Sequence, residues 1–164
     1  MRHGWMGAMV LVLAALAGHA GATGTGQDEA RPLTPAEAAE KASRVNSRGF
    51  KGKFAFEVKG VGTNGEDSFI LSEQDYRSPA CLTLRVSPSA RAQLETRLGG
   101  KLEEVLVGRQ VIVSGAAVKV RMDVTAQKAT GTLGEPARGQ AYTTGDFYYQ
   151  THIKVTEADQ LTVI

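Results

Sequence analysis

His152 is the only imidazole C-terminal to residue 22, so any acid–base or nucleophilic constellation in the body of this chain has to be built around it. It stands in Tyr148-Tyr149-Gln150-Thr151-His152-Ile153-Lys154-Val155. Strand alternation there turns Tyr149, Ile153 and Val155 inward and His152 outward, beside Tyr148, Gln150 and Lys154. Nothing marks a particular Ser, Cys or acid as its partner. Cys81, in Ala80-Cys81-Leu82-Thr83-Leu84, is the only cysteine, which forbids an intrachain disulfide and reads as a buried structural thiol. Carboxylates gather at Glu66-Asp67, at Glu73 and Asp75, and at Glu103-Glu104. Paired acids can move protons or hold a hard cation, but this spacing fits no calcium loop. Gly60-Val61-Gly62 and Gly131-Thr132-Leu133-Gly134 are turn chemistry, without the Lys-Ser/Thr of a phosphate loop. The chain is therefore expected to bind rather than catalyse, with no metal and no cofactor. The alternative is a metal-dependent phosphodiester hydrolase using the acids of the first hairpin and Asp75.

Binding chemistry is better represented. Strand parity places Glu57, Lys59, Thr83, Arg85, Lys119, Arg121, Tyr148, Gln150, His152 and Lys154 outward, with five bases against one acid. Tyr76-Arg77 and Tyr142 add rings and charge. The expected ligand surface is Tyr76, Arg77, Arg85, Lys119, Arg121, Tyr148, His152 and Lys154. Rings and cations together suit a single strand of nucleic acid, and a glycan, a small ligand or an envelope protein are the other partners considered. The whole chain carries 19 Lys and Arg against 17 Asp and Glu, a balance that does not by itself announce a nucleic-acid partner.

The elements that position these residues follow from the chain in order. Residues 1–22 read as a cleavable export signal: Arg2, an apolar run from Met6 to Ala17, then Ala20-Gly21-Ala22. The run is about 18 Å of helix, short of a bilayer core of about 30 Å. No Cys follows it for lipid attachment, so the product is expected free in the periplasm or the medium. Residues 23–33 form a flexible leader. Thr34-Pro35-Ala36-Glu37 is a capping box that opens a helix over 34–47, packed through Ala38, Ala42 and Val45. A strand from Lys53 to Val61 turns Phe54, Phe56 and Val58 inward. Gly60 to Gly65, ending in Asn64-Gly65, reads as the hairpin turn. Strands at Phe69–Leu71 and Cys81–Val86 follow, and Ser87-Pro88 opens a helix ended by Gly99-Gly100. A long strand from Gly108 to Asp123 changes parity at Gly115-Ala116-Ala117, which predicts a bulge. After a loop over 123–146 come a strand, Phe147–Val155, and a short edge strand, Leu161–Ile164. That edge is a third functional alternative, pairing with a partner's strand.

Three strands, a helix and two strands is the order of the OB barrel. Three stretches carry the resemblance: Gly52-Lys53-Phe54-Ala55-Phe56-Glu57-Val58, Phe69-Ile70-Leu71-Ser72-Glu73-Gln74-Asp75-Tyr76-Arg77, and Val107-Gly108-Arg109-Gln110-Val111-Ile112-Val113-Ser114-Gly115. They resemble small OB-fold domains of exported bacterial proteins. The resemblance covers residues 48–164 and implies a mainly β, five-stranded barrel with a helix between strands 3 and 4, preceded by the short N-terminal helix.

Overall fold

The computed structural model describes residues 31–124 and 145–164. Residues 1–22, expected to be an export signal, most of the expected leader and most of the expected loop, Tyr142 included, lie outside the described residues. Among the described residues no helix is long and apolar enough to cross a membrane.

Thr34 caps helix α1 (Pro35–Arg44) as its sequence requires: Thr34 N donates to Glu37 Oε2 at 2.8 Å, and Glu37 N donates back to Thr34 Oγ1. The helix docks through Ala38 and Ala42, whose small side chains let it lie close to the sheet. Val45, expected inward, follows the last turn in extended backbone and is exposed. The end of the supposed leader is held as well. Leu33 N donates to Lys53 O and Leu33 O accepts from Ala55 N, a parallel bridge beside the first strand.

Among the described residues the sheet has seven strands, where the sequence reading expects five in a barrel and one short edge strand: β1 (Phe50–Glu57), β2 (Gly60–Asn64), β3 (Asp67–Leu71), β4 (Leu82–Val86), β5 (Gln110–Asp123), β6 (Phe147–Val155) and β7 (Leu161–Val163). Their order is β1-β5-β6-β4-β3-β2, with β7 paired to β5. Every pair is antiparallel except β4 with β6. The two ends of that order, β1 and β2, are joined in the chain by Val58 and Lys59 alone. Val58 N donates to Arg109 O, while Lys59 N donates to Leu71 O. Gly60 and Gly62, expected in a turn, instead pair with Leu71 and Phe69, because ladder formation outweighs the weak strand preference of glycine. The turn itself comes one residue later than Asn-Gly suggests. Asn64 pairs with Asp67, and Gly65, at φ +66°, leads the two-residue loop.

Helix α2 (Pro88–Leu98) is capped by Ser87 and closed by Gly99 in the left-handed region at φ +74°. A further short helix, α3 (Leu102–Val105), was not expected; it buries Leu102 and leads to buried Leu106. Arg91 ties both helices to the sheet, donating to Ser68 Oγ at 2.7 Å, to Glu95 and to both oxygens of Glu103.

The apolar core lies on one side of the sheet: Phe54, Phe56, Val58, Ile70, Leu84, Val111, Val113, Ala117, Ile153 and Val155, closed over by Leu94 and Leu102. A smaller cluster of Leu71, Tyr76, Cys81, Val124 and Tyr148 lies on the other side. The bulge expected at Gly115–Ala117 is absent. β5 pairs with β1 without a break from Gln110 to Ala117, and Ala117 opens the β6 register opposite Ile153. What changes along β5 is which side is covered. Val111, Val113 and Ala117 are buried, after which the same side carries exposed Lys119, Arg121 and Asp123. Gly115 answers a different need, since a Cβ there would stand 2.6 Å from Ile153 Cγ2.

Two predictions follow from these local geometries. At Gly49 (φ +69°) a Cβ would meet Ala117 O at 2.1 Å, whereas at Gly65 it would meet open space. Gly49→Ala is therefore expected to cost about 3 kcal/mol or more and Gly65→Ala about 1 kcal/mol in chemical denaturation. Arg31 and then Thr34 hold Glu37 at about 2. A carboxylate depressed in the folded state stabilises above its ordinary value of 4.5, and that contribution is lost as pH falls through about 2. The carboxyl carbon of Glu37 should show that low midpoint by NMR, and Arg31→Ala should raise it.

Candidate functional site

The expected surface divides into two groups. Arg77, Lys119 and Tyr148 converge on a groove of about 450 Å³ between α1 and the N-terminal half of β6. Ala39, Glu40 and Ser43 of α1, with Pro79, Tyr149, Gln150 and Thr151, complete its walls. Arg85 and Lys154 are elsewhere. They are cross-strand neighbours at the C-terminal end of β6, on the same side of the strand as Tyr148 and the opposite side from Lys119, and Arg85 is ion-paired to Asp67 at 2.6 Å. His152 sits half-buried between the groups, opposite Thr83 on β4.

Three of the residues expected to be exposed are not. Tyr76, Arg77 and Tyr148 are buried, as are the supposedly outward Thr83 and Gln150. The reason is the second cluster, which covers the even-numbered side of β6 from Tyr148 to Gln150. Tyr76 and Tyr148 meet edge to face, with centroids 6.4 Å apart. Arg77, 2 % exposed, donates Nε–H to Tyr76 Oη at 3.0 Å and lies against the ring of Tyr76. A charge this deeply placed needs such partners to offset the loss of water.

Sequence reasoning missed two residues. Phe147 and Tyr149 are 50 % and 44 % exposed, so Tyr149 does not point into the core as its parity with Ile153 suggests. The face assignment is correct, but the core ends at Thr151. Across the β5–β6 ladder, Arg121 stands opposite Tyr149 and Asp123 opposite Phe147. The diagonal contacts are cationic: Lys119 Nζ lies 4.2 Å from the Tyr149 centroid, and Arg121 Cζ 4.2 Å from that of Phe147. The two rings are 5.8 Å apart and nearly perpendicular. Asp123 offsets part of the charge by pairing with Arg121 at 3.0 Å. The signal for this strip was the pair of alternations Lys-x-Arg and Phe-x-Tyr, which becomes legible only once the register is known.

Three of the acids offered for catalysis are engaged structurally. Asp67 pairs with Arg85, Glu103 with Arg91, and Asp75 Oδ1 accepts from Arg77 N at 2.9 Å. Among the described residues no three His, Cys, Asp or Glu side chains gather in a way that could hold a metal ion. Cys81 is fully buried, and burial pushes its thiol above the ordinary value, away from the reactive thiolate. At the candidate edge strand, Leu161 O accepts from Arg97 Nη2.

No protein-family model matches the chain, and no curated protein matches it. Among solved structures it is similar to the Est3 telomerase subunit of the yeast Hansenula polymorpha, with a TM-score of 0.41 and 9 % sequence identity. The match covers 73 % of this chain and 62 % of that one.

The Tyr76–Arg77 contact can be tested directly. Tyr76→Phe removes the acceptor for a buried guanidinium while keeping the ring, and is expected to cost about 1–3 kcal/mol in denaturant unfolding. A loss below a few tenths would mean that this bond contributes little.

Proposed function

We propose that this chain is an exported, non-enzymatic binding protein built on an OB-type barrel, and that its ligand is an extended anion carrying flat rings. In this reading β1 and β2 are the two halves of one bent strand. The five barrel strands are then β1 with β2, β3, β4, β5 and β6, with α2 between the third and fourth. Support comes from the bonds at Val58 and Lys59, which reach Arg109, the residue before β5, on one side and Leu71 of β3 on the other. The parallel pairing of β4 with β6 fits the same order. Export rests on the character of residues 1–22.

The observation that carries the ligand class is the strip on β5 and β6. Two half-exposed rings each have a cation seated against them, and one of these pairs, Tyr149 with Lys119, lines the groove together with Arg77. Exposed rings accept other flat groups by stacking, and Lys and Arg beside them meet phosphates spaced along a chain. Single-stranded nucleic acid combines both features.

Fluorescence anisotropy with a labelled single-stranded oligonucleotide tests this. Contacts from Arg77, Lys119 and Arg121 predict a salt slope near −2, so raising salt from about 50 to 200 mM should weaken binding roughly twentyfold. Phe147→Ala and Tyr149→Ala should each cost about 1–3 kcal/mol of binding. Absence of binding at tens of micromolar (about 50 μM) and low salt would sink the reading.

A further inference from the structure

We propose that Gln150 is a positioning residue that holds Arg77 at the groove. The inference rests on the binding role just proposed for Arg77, but its geometry stands apart from any ligand. β4 joins β6 only from the Leu82–Thr151 pair onward. Next to that pair, the β3–β4 connection is held to β6 by a side chain: Gln150 Nε2 donates to Tyr76 O.

That carbonyl belongs to the peptide bond whose nitrogen is Arg77 N, and Arg77 N donates to Asp75 Oδ1 at 2.9 Å. Both polar atoms of the peptide leading into Arg77 are thus pinned, one by each side chain. Pinning the plane fixes the direction in which the Arg77 side chain leaves the backbone. From there Arg77 Nε reaches Tyr76 Oη, and the residue lines the groove.

The orientation of the amide is forced. A carbonyl can only accept, so the NH₂ end of Gln150 faces Tyr76 O. The oxygen end then faces His152 Nε2 at 2.6 Å, and His152 carries its proton on that nitrogen. Gln150 is only 4 % exposed, so little water is at hand to replace either bond. A lone side-chain amide at this depth has an alternative reading, that of a satisfied core residue. What separates the two is that its partner is the peptide of a groove residue; because Gln150 itself also lines the groove, the free-protein measurement below isolates the positioning role.

Two measurements test this, one with a ligand and one without. In oligonucleotide titrations, Gln150→Met and Arg77→Met should each weaken binding about tenfold. The double variant should be no weaker than Arg77→Met alone, and the salt slope should fall by about 0.7 in each. Additive losses in a folded double variant, or unchanged binding by Gln150→Met, would overturn the proposal. If the wild-type protein binds no oligonucleotide, the functional reading fails and the second measurement decides. In the free protein, long-range ¹H–¹⁵N spectra should place the His152 proton on Nε2. The Arg77 Nε–H resonance should be slow to exchange, and fast in Gln150→Met. A bare Nε2 on His152, or an Arg77 signal indifferent to the substitution, would show that Gln150 does not position Arg77.

Discussion

Every strand of the sheet takes its place, directly or through a neighbour, from β5. Along one edge it carries β1; along the other it carries β7 over Val111–Val113 and β6 from Ala117 onward. Three strands on one means that its side chains face inward and outward in a single unbroken alternation, because any slip would exchange the two sides for all of them at once. Between the β7 and β6 segments the edge is closed by Gln160. Its Nε2 donates to Ser114 O and Lys154 O, while its Oε1 accepts from the backbone of Thr156 and Glu157.

That unbroken alternation explains where the candidate site arises. The same side of β5 and β6 that packs Val113, Ala117 and Ile153 into the core runs on past the core's edge. There the alternation continues with Lys119, Arg121, Tyr149 and Phe147. The side chains are set in the register and spacing of a core ladder, but they face water. On the opposite side the second cluster begins where the first ends, so Tyr148 and Gln150 are covered while their neighbours are exposed. A strand that changes cores keeps its backbone and exchanges the meaning of its two faces.

This is also where the sequence becomes hard to read. The capping box at Thr34, the Ser87 cap, the stop at Gly99 and the inward Phe54, Phe56 and Val58 are local or periodic signals, and each was legible. The exchange of faces imitates a bulge, because apolar residues switch from odd to even positions whether a residue is inserted or the cover changes side. Only the pairing distinguishes them. Helix α3 was visible in principle from Leu102, Val105 and Leu106, at helical spacing behind Gly100, but one turn is too short for periodicity to stand out. Arg77 and Gln150 were read as surface because polar side chains usually are. Both bond to Tyr76, and for Gln150 that is a relation between residues far apart in sequence.

The closure by Gln160 also bears on when the sheet can form. Its clasp and the pairing of Leu161–Val163 come from residues downstream of all other strands, and Ile164 N adds a last bond to Gln110 O. A chain emerging from a ribosome in sequence order presents β5 with this edge incomplete until residues beyond 160 are available. Up to that moment part of its backbone must stay in water or pair with something else. Completion of the sheet therefore waits on the last of its described strands in chain order, a timing set by connectivity rather than by the strength of any contact.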